Sequence, residues 1–80
     1  MLGAVMNGKK ANKPSLLDVV ALLTDVPTQQ LARGQVGTVV EELGGEILVV
    51  EFSDDQGRAY AVAPCPQAEL LVLHYVPEAA

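Results

Sequence analysis

Eighty residues with a formal net charge of −5 and a single cysteine leave room for one domain, which on folding buries only about 60% of the surface its unfolded chain exposes. Half the residues are hydrophobic and mean hydropathy is +0.29, which excludes a disordered acidic linker, while no apolar run approaches the ~20 residues of a membrane-spanning helix. Cys65 has no second cysteine to pair with, which excludes an intramolecular disulfide and a cysteine-rich zinc site and leads us to expect a reducing, cytoplasmic compartment and no membrane association.

Charge is unevenly spread along the chain. Residues 1–14 hold Lys9, Lys10 and Lys13 and no acid, whereas from Ser15 onward Arg33 and Arg58 face all ten acids and leave the body at −8. Affinity for a polyanion rests on cations that neutralise phosphates, so this body argues against nucleic acid as a partner. The first fourteen residues mix Gly, Asn, Lys and Pro without a period and contain no apolar core of signal-peptide length. They read as a flexible basic leader, whose functional use would be to grip an acidic partner.

Ser15 to Thr24 can be read two ways. Ser15 and Asp18 have the spacing of a capping box, which would open a short helix. Val19 and Val20 are adjacent and β-branched, and Thr24-Asp25-Val26-Pro27 ends the run with loop chemistry, so a buried strand is favoured. Residues 24–34 form a polar connection in which Val26 and Leu31 are expected to pin the loop to the core.

The strongest signal lies in residues 35–52. Two β-rich runs flank Gly44-Gly45, a pair able to supply the positive φ angles of a tight turn, and predict a hairpin. A two-residue turn sets Gly37 opposite Phe52, Val39 opposite Val50 and Glu41 opposite Leu48. On the other face it pairs Thr38 with Glu51, Val40 with Val49 and Glu42 with Ile47. A glycine facing a phenylalanine leaves room for the ring, so the Phe52 face is expected to point inward. The outer face then keeps Val36, Val40, Ile47 and Val49, more apolar surface than a small monomer ordinarily displays, and these four are the candidate interface.

Ser53-Asp54-Asp55-Gln56-Gly57 is expected to form an Asx-type turn, since it lacks the ligand spacing of a calcium loop. Arg58–Ala63 follows as a strand that Pro64-Cys65-Pro66 is expected to stop. Gln67-Ala68-Glu69 leaves room for one helical turn, Leu70–Val76 is the final strand, and residues 77–80 are a C-terminal tail. The predicted architecture is all-β, a small five-stranded SH3-like barrel over residues 15–76 with a short helical turn before the last strand.

Four stretches taken together add a likeness: Leu17-Asp18-Val19-Val20-Ala21-Leu22-Leu23, Arg33-Gly34-Gln35-Val36-Gly37-Thr38-Val39-Val40-Glu41, Val50-Glu51-Phe52 and Leu70-Leu71-Val72-Leu73. In this order they resemble the small bacterial family called domain of unknown function 4926, over about residues 16–73. The resemblance implies an SH3-like β-barrel of uncharacterised role and brings no catalytic residue. More loosely, the hairpin is similar to the KOW element of ribosomal and transcription-associated proteins, with Gly34, Gly37 and Val39 at its spaced glycine-glycine-hydrophobic positions. KOW domains that touch RNA add lysines and arginines around the hairpin, where this chain has Glu41, Glu42, Glu46 and Glu51.

Catalysis needs a base, nucleophile or metal held in mutual reach. His74 is the one histidine of the sequence and lies beside Tyr75 on the last strand, Cys65 sits between two prolines without a partner motif, and the carboxylates gather as a solvated rim. No catalytic residue, cofactor or metal is expected. With three aromatics, one of them assigned to the core, an aromatic groove for polyproline is not expected either. The sequence therefore predicts a non-enzymatic protein-interaction or assembly module that self-associates or serves a neighbouring-gene product. A KOW-like nucleic-acid-binding module is the alternative.

Overall fold

In a computed structural model that describes residues 13–74 and 77, the β-branched runs form five strands. These are β1 (Val19–Leu22), β2 (Val36–Leu43), β3 (Ile47–Ser53), β4 (Ala59–Pro66) and β5 (Leu70–Val72). Single 3-10 turns occupy Pro27–Gln29 and Gln67–Glu69. Residues 1–12 of the expected leader, 75–76 of the expected last strand and 78–80 of the tail lie outside the described residues. Pro14, at the end of that leader, is buried.

All pairings are antiparallel, and the sheet runs in the order β4-β3-β2-β1-β5. The outermost strands β4 and β5 are joined by Gln67–Glu69 alone, four residue steps that span at most about 14 Å. A flat sheet would hold strands four places apart at about 19 Å. The sheet must therefore curl, and the core shows that it does. Val20 and Leu22 from β1, Val39 from β2, Leu48, Val50 and Phe52 from β3, Ala63 and Cys65 from β4, and Leu70 and Val72 from β5 form one buried cluster. The helical turn links both sides, because Gln67 N–H donates to the Glu46 carbonyl at 2.9 Å and Leu23 N–H donates to that of Glu69 at 2.9 Å. Among the described residues no ladder joins β4 to β5, so the short connection and shared core close the curl. The all-β, five-stranded arrangement with its helical turn before the last strand is the expected one.

Local chemistry decides the ambiguous segments. The Ser15 N–H and hydroxyl donate to Asp18 Oδ2 at 2.9 and 3.2 Å, as a capping pair would, but Leu17 has φ 70°. The pair therefore closes a turn, and Val19–Leu22 continues as the favoured strand. In the long connection Val26 and Leu31 bridge each other, Leu31 is buried and Val26 packs on the core, which is the expected pinning.

The hairpin register needs one correction. Gly37 pairs with Phe52, Thr38 with Glu51 and Val39 with Val50 as expected, but beyond them Glu41 faces Val49, Glu42 faces Leu48 and Leu43 faces Ile47. The positive φ angles fall on Gly45 (71°) and Glu46 (68°) rather than on the two glycines, so the loop holds three residues, Gly44, Gly45 and Glu46. That slip of one would turn every side chain of one strand over, and a bulge at Val40 absorbs it.

A second correction concerns β4, which does not stop at Pro64 but runs on to Pro66. On an edge strand a proline nitrogen can face solvent, so the missing N–H breaks no ladder. Ala63 and Cys65 face inward between the exposed prolines. The last strand is shorter than expected, ending at Val72, although Leu73 N–H still donates to the Val19 carbonyl at 2.8 Å.

Candidate interaction face

Because paired residues on neighbouring strands share a face, the register maps the outer surface of β2, β3 and β4. One row across the strands is Leu43, Ile47 and Pro66. The next holds Val49 between the bulge pair Val40 and Glu41 on one side and Pro64 on the other. The third is Thr38, Glu51 and Val62. Seven apolar residues thus adjoin one another around two carboxylates. Val40, Leu43 and Val62 are exposed to 40%, 43% and 56%, far more than a core position allows, while Ile47 and Val49 are half-buried by their neighbours.

Of the four expected interface residues, Val40, Ile47 and Val49 meet on this face. Val36 does not join them. It lies at the far end of β2, two residues beyond Thr38, where it pairs with Ala21, which in turn faces the exposed Leu71. The sequence reading missed Leu43, Val62, Pro64 and Pro66. The first was hidden by the register slip, and the prolines by their being read as a stop, although Ala63-Pro64-Cys65-Pro66 alternates with strand period.

Around the face the polar groups are held by local bonds. At the β3–β4 turn Asp54 Oδ1 accepts from the N–H groups of Gln56 and Arg58 at 2.9 Å each, the Asx turn expected there, and its other oxygen lies 3.7 Å from Arg58 Nε. Tyr60 is the extra residue of a second bulge, opposite Phe52 and Ser53, and its hydroxyl accepts from Gln35 Nε2 at 2.7 Å. At the hairpin end Glu42 Oε2 accepts from Leu16 N–H at 2.9 Å, beside an open cleft of 460 Å³ that has Leu48 in its lining and Lys13, Ser15 and Glu46 among its polar groups.

Cys65 is buried opposite Leu48, its Sγ 3.7 Å from the Ala63 carbonyl oxygen. Burial, and secondarily the Glu69 charge, push the thiol above its ordinary value of 9.0. A raised folded-state value means that the native protein holds this proton more tightly than the unfolded chain. Its contribution to stability is complete below pH 9 and is lost as pH rises through the folded value. The midpoint of urea unfolding should therefore fall more steeply for the wild type than for Cys65→Ala between about pH 8 and 11. Parallel profiles would show that the thiol is solvated.

His74 is exposed. Among the described residues no three His, Cys, Asp or Glu side chains converge as a metal set would, and no helix is long and apolar enough to cross a membrane.

A family model described as Domain of unknown function (DUF4926) matches residues 16–72, from the turn before β1 to the last residue of β5. The chain belongs to this family. The match covers all five strands and therefore the whole outer face of β2–β4. No curated protein and no solved structure matches the chain.

Proposed function

We propose that this member of the DUF4926 family is a non-enzymatic protein-interaction or assembly module, built as an SH3-like barrel and working in the reducing cytoplasm of a bacterium. The observation that carries this reading is the contiguous apolar outer face formed by Val40, Leu43, Ile47, Val49, Val62, Pro64 and Pro66. Large apolar patches on small domains mark contact surfaces, because water is a poor neighbour for them. The occupant is either a second copy or the product of a neighbouring gene. The KOW-like alternative draws on Gly34, Gly37 and Val39. Gly37 and Val39 face the core beside Phe52 and Val50, which is a folding role, and the −8 body opposes RNA.

Size-exclusion chromatography with light scattering, run beside an affinity pull-down from a homologous lysate, tests the proposal. The wild type should either exceed its 8.4 kDa monomer mass or retain one protein in fixed stoichiometry. Val49→Lys should lose whichever is seen while still unfolding cooperatively. Wild type and variant that are both monomeric and partner-free would remove the case for an interaction module.

A further inference from the structure

Among the described residues, the outer-face rows of β2–β4 carry carboxylates and no cation, and Lys13 lies at the hairpin end, in the cleft it lines with Leu43 and Glu46. Glu41 and Glu51 stand within the apolar rows, Glu46 lies in the loop at one end, and Asp54 and Asp55 lie in the turn at the other. Arg58, in that turn, is paired with Asp54. A second copy laid on this face would bring its own acids against these. Like charges held together in a partly desolvated contact disfavour the pairing, and a body at −8 adds to the repulsion.

The sheet edges offer little to an added strand. Pro64 and Pro66 remove two backbone donors from β4, and β5 has only three residues, so main-chain pairing gains few bonds at either edge. The face itself has the dimensions of a helix. From β2 to β4 is about 10 Å, close to the diameter of an α-helix. The seven residues of β3 run about 23 Å, the length of roughly fifteen helical residues.

From this geometry we propose that the β2–β4 face receives an amphipathic helix of a different protein, about four turns long. Its apolar stripe covers Val40, Ile47, Val49 and Val62, and its flanking lysines or arginines meet Glu41 and Glu51. The proposal rests on the interaction reading above and narrows it to a foreign, cationic partner.

The test uses the full chain and three synthetic fifteen-residue peptides. One has leucines at i, i+3, i+4 and i+7 flanked by lysines, one has glutamates in place of the lysines, and one is a scrambled lysine peptide without the stripe. Binding is followed by fluorescence anisotropy and by amide chemical shifts. The patterned lysine peptide should bind, with shifts confined to the outer face of β2–β4, and should weaken as salt rises. Glu41→Gln with Glu51→Gln should weaken it about tenfold, and Val49→Lys should abolish it. Equal binding of the scrambled or the glutamate peptide would overturn the proposal. So would wild-type dimers, seen by light scattering, that dissociate in Val49→Lys; that result leaves the interaction reading intact and assigns the face to a second copy. A monomeric chain that binds no peptide and retains no partner defeats both.

Discussion

Phe52→Ala is expected to leave the chain without a cooperative unfolding transition at room temperature. Phe52 is completely buried and is the largest such side chain among the described residues. Its ring sits inside the curl, facing Gly37 on one neighbour strand and Ala61 on the other, and neither of those residues can swing in to fill the space. Truncating a buried phenylalanine to alanine costs about 3–5 kcal/mol, most when the surroundings cannot collapse. A domain of roughly 60 ordered residues has only about 3–9 kcal/mol in total. Urea titration followed by far-ultraviolet circular dichroism is the check, with Phe52→Leu, expected to cost only about 1–1.5 kcal/mol, as the partial case. A loss below about 1 kcal/mol for the alanine variant would mean that the core does not close around this ring.

The orientation of that ring was legible in the sequence, as was most of the fold. A glycine stands opposite Phe52, where the ring needs space, so size decides which face is inside, whereas period alone does not, because Val40 and Val49 make the other face apolar too. Strand β1 was readable because two β-branched residues outweigh a three-residue capping spacing. What stayed hidden was set by single backbone angles. Glu46 adopts a positive φ that its residue type does not favour, and this one angle lengthens the loop and moves half the register. The extent of β4 was hidden for a different reason. Proline ends a central strand but not an edge strand, and which strand lies at the edge is a property of the sheet order, not of local sequence.

These two hidden features determine the candidate face. In the unslipped register Ile47 would face Glu42. The bulge at Val40 instead sets Leu43 beside Ile47 and sends Glu42 to the Leu48 side, where it bonds the Leu16 N–H. A charged neighbour is exchanged for an apolar one at the centre of the outer surface, and the extra residue carries Val40 and Glu41 outward together. The prolines of β4 extend the same rows by one strand while closing its edge to strand addition. The sequence pattern identified three of the residues on this face, and the bulge and the edge prolines supply most of its breadth. Val36 was grouped with them by alternation alone, which counts positions along a strand but does not measure the distance between its ends.

Gly37→Ala is expected to destabilise the protein by about 3 kcal/mol, near the upper end of what one added methyl does in a packed interior. A Cβ at this position would lie 2.6 Å from Val50 Cγ1, 2.7 Å from the Glu51 carbonyl oxygen and 3.0 Å from Phe52 Cδ2. The two side chains can move by changing rotamer, at a cost to their own packing. The carbonyl cannot, because Glu51 is held between Thr38 and Val62 in the two ladders of β3. Relief therefore requires β2 and β3 to separate at the Gly37–Phe52 pair. A second substitution tells the backbone contact from the ring contact. If the ring were the main obstacle, Phe52→Leu would rescue Gly37→Ala, and the double variant would be more stable than the sum of the single losses predicts. With the carbonyl as the main obstacle, the losses add to within about 0.5 kcal/mol and the double variant unfolds at lower urea than either single one. Denaturation midpoints for the four proteins decide between the two. A Gly37→Ala protein as stable as the wild type would place the strands farther apart than this packing requires.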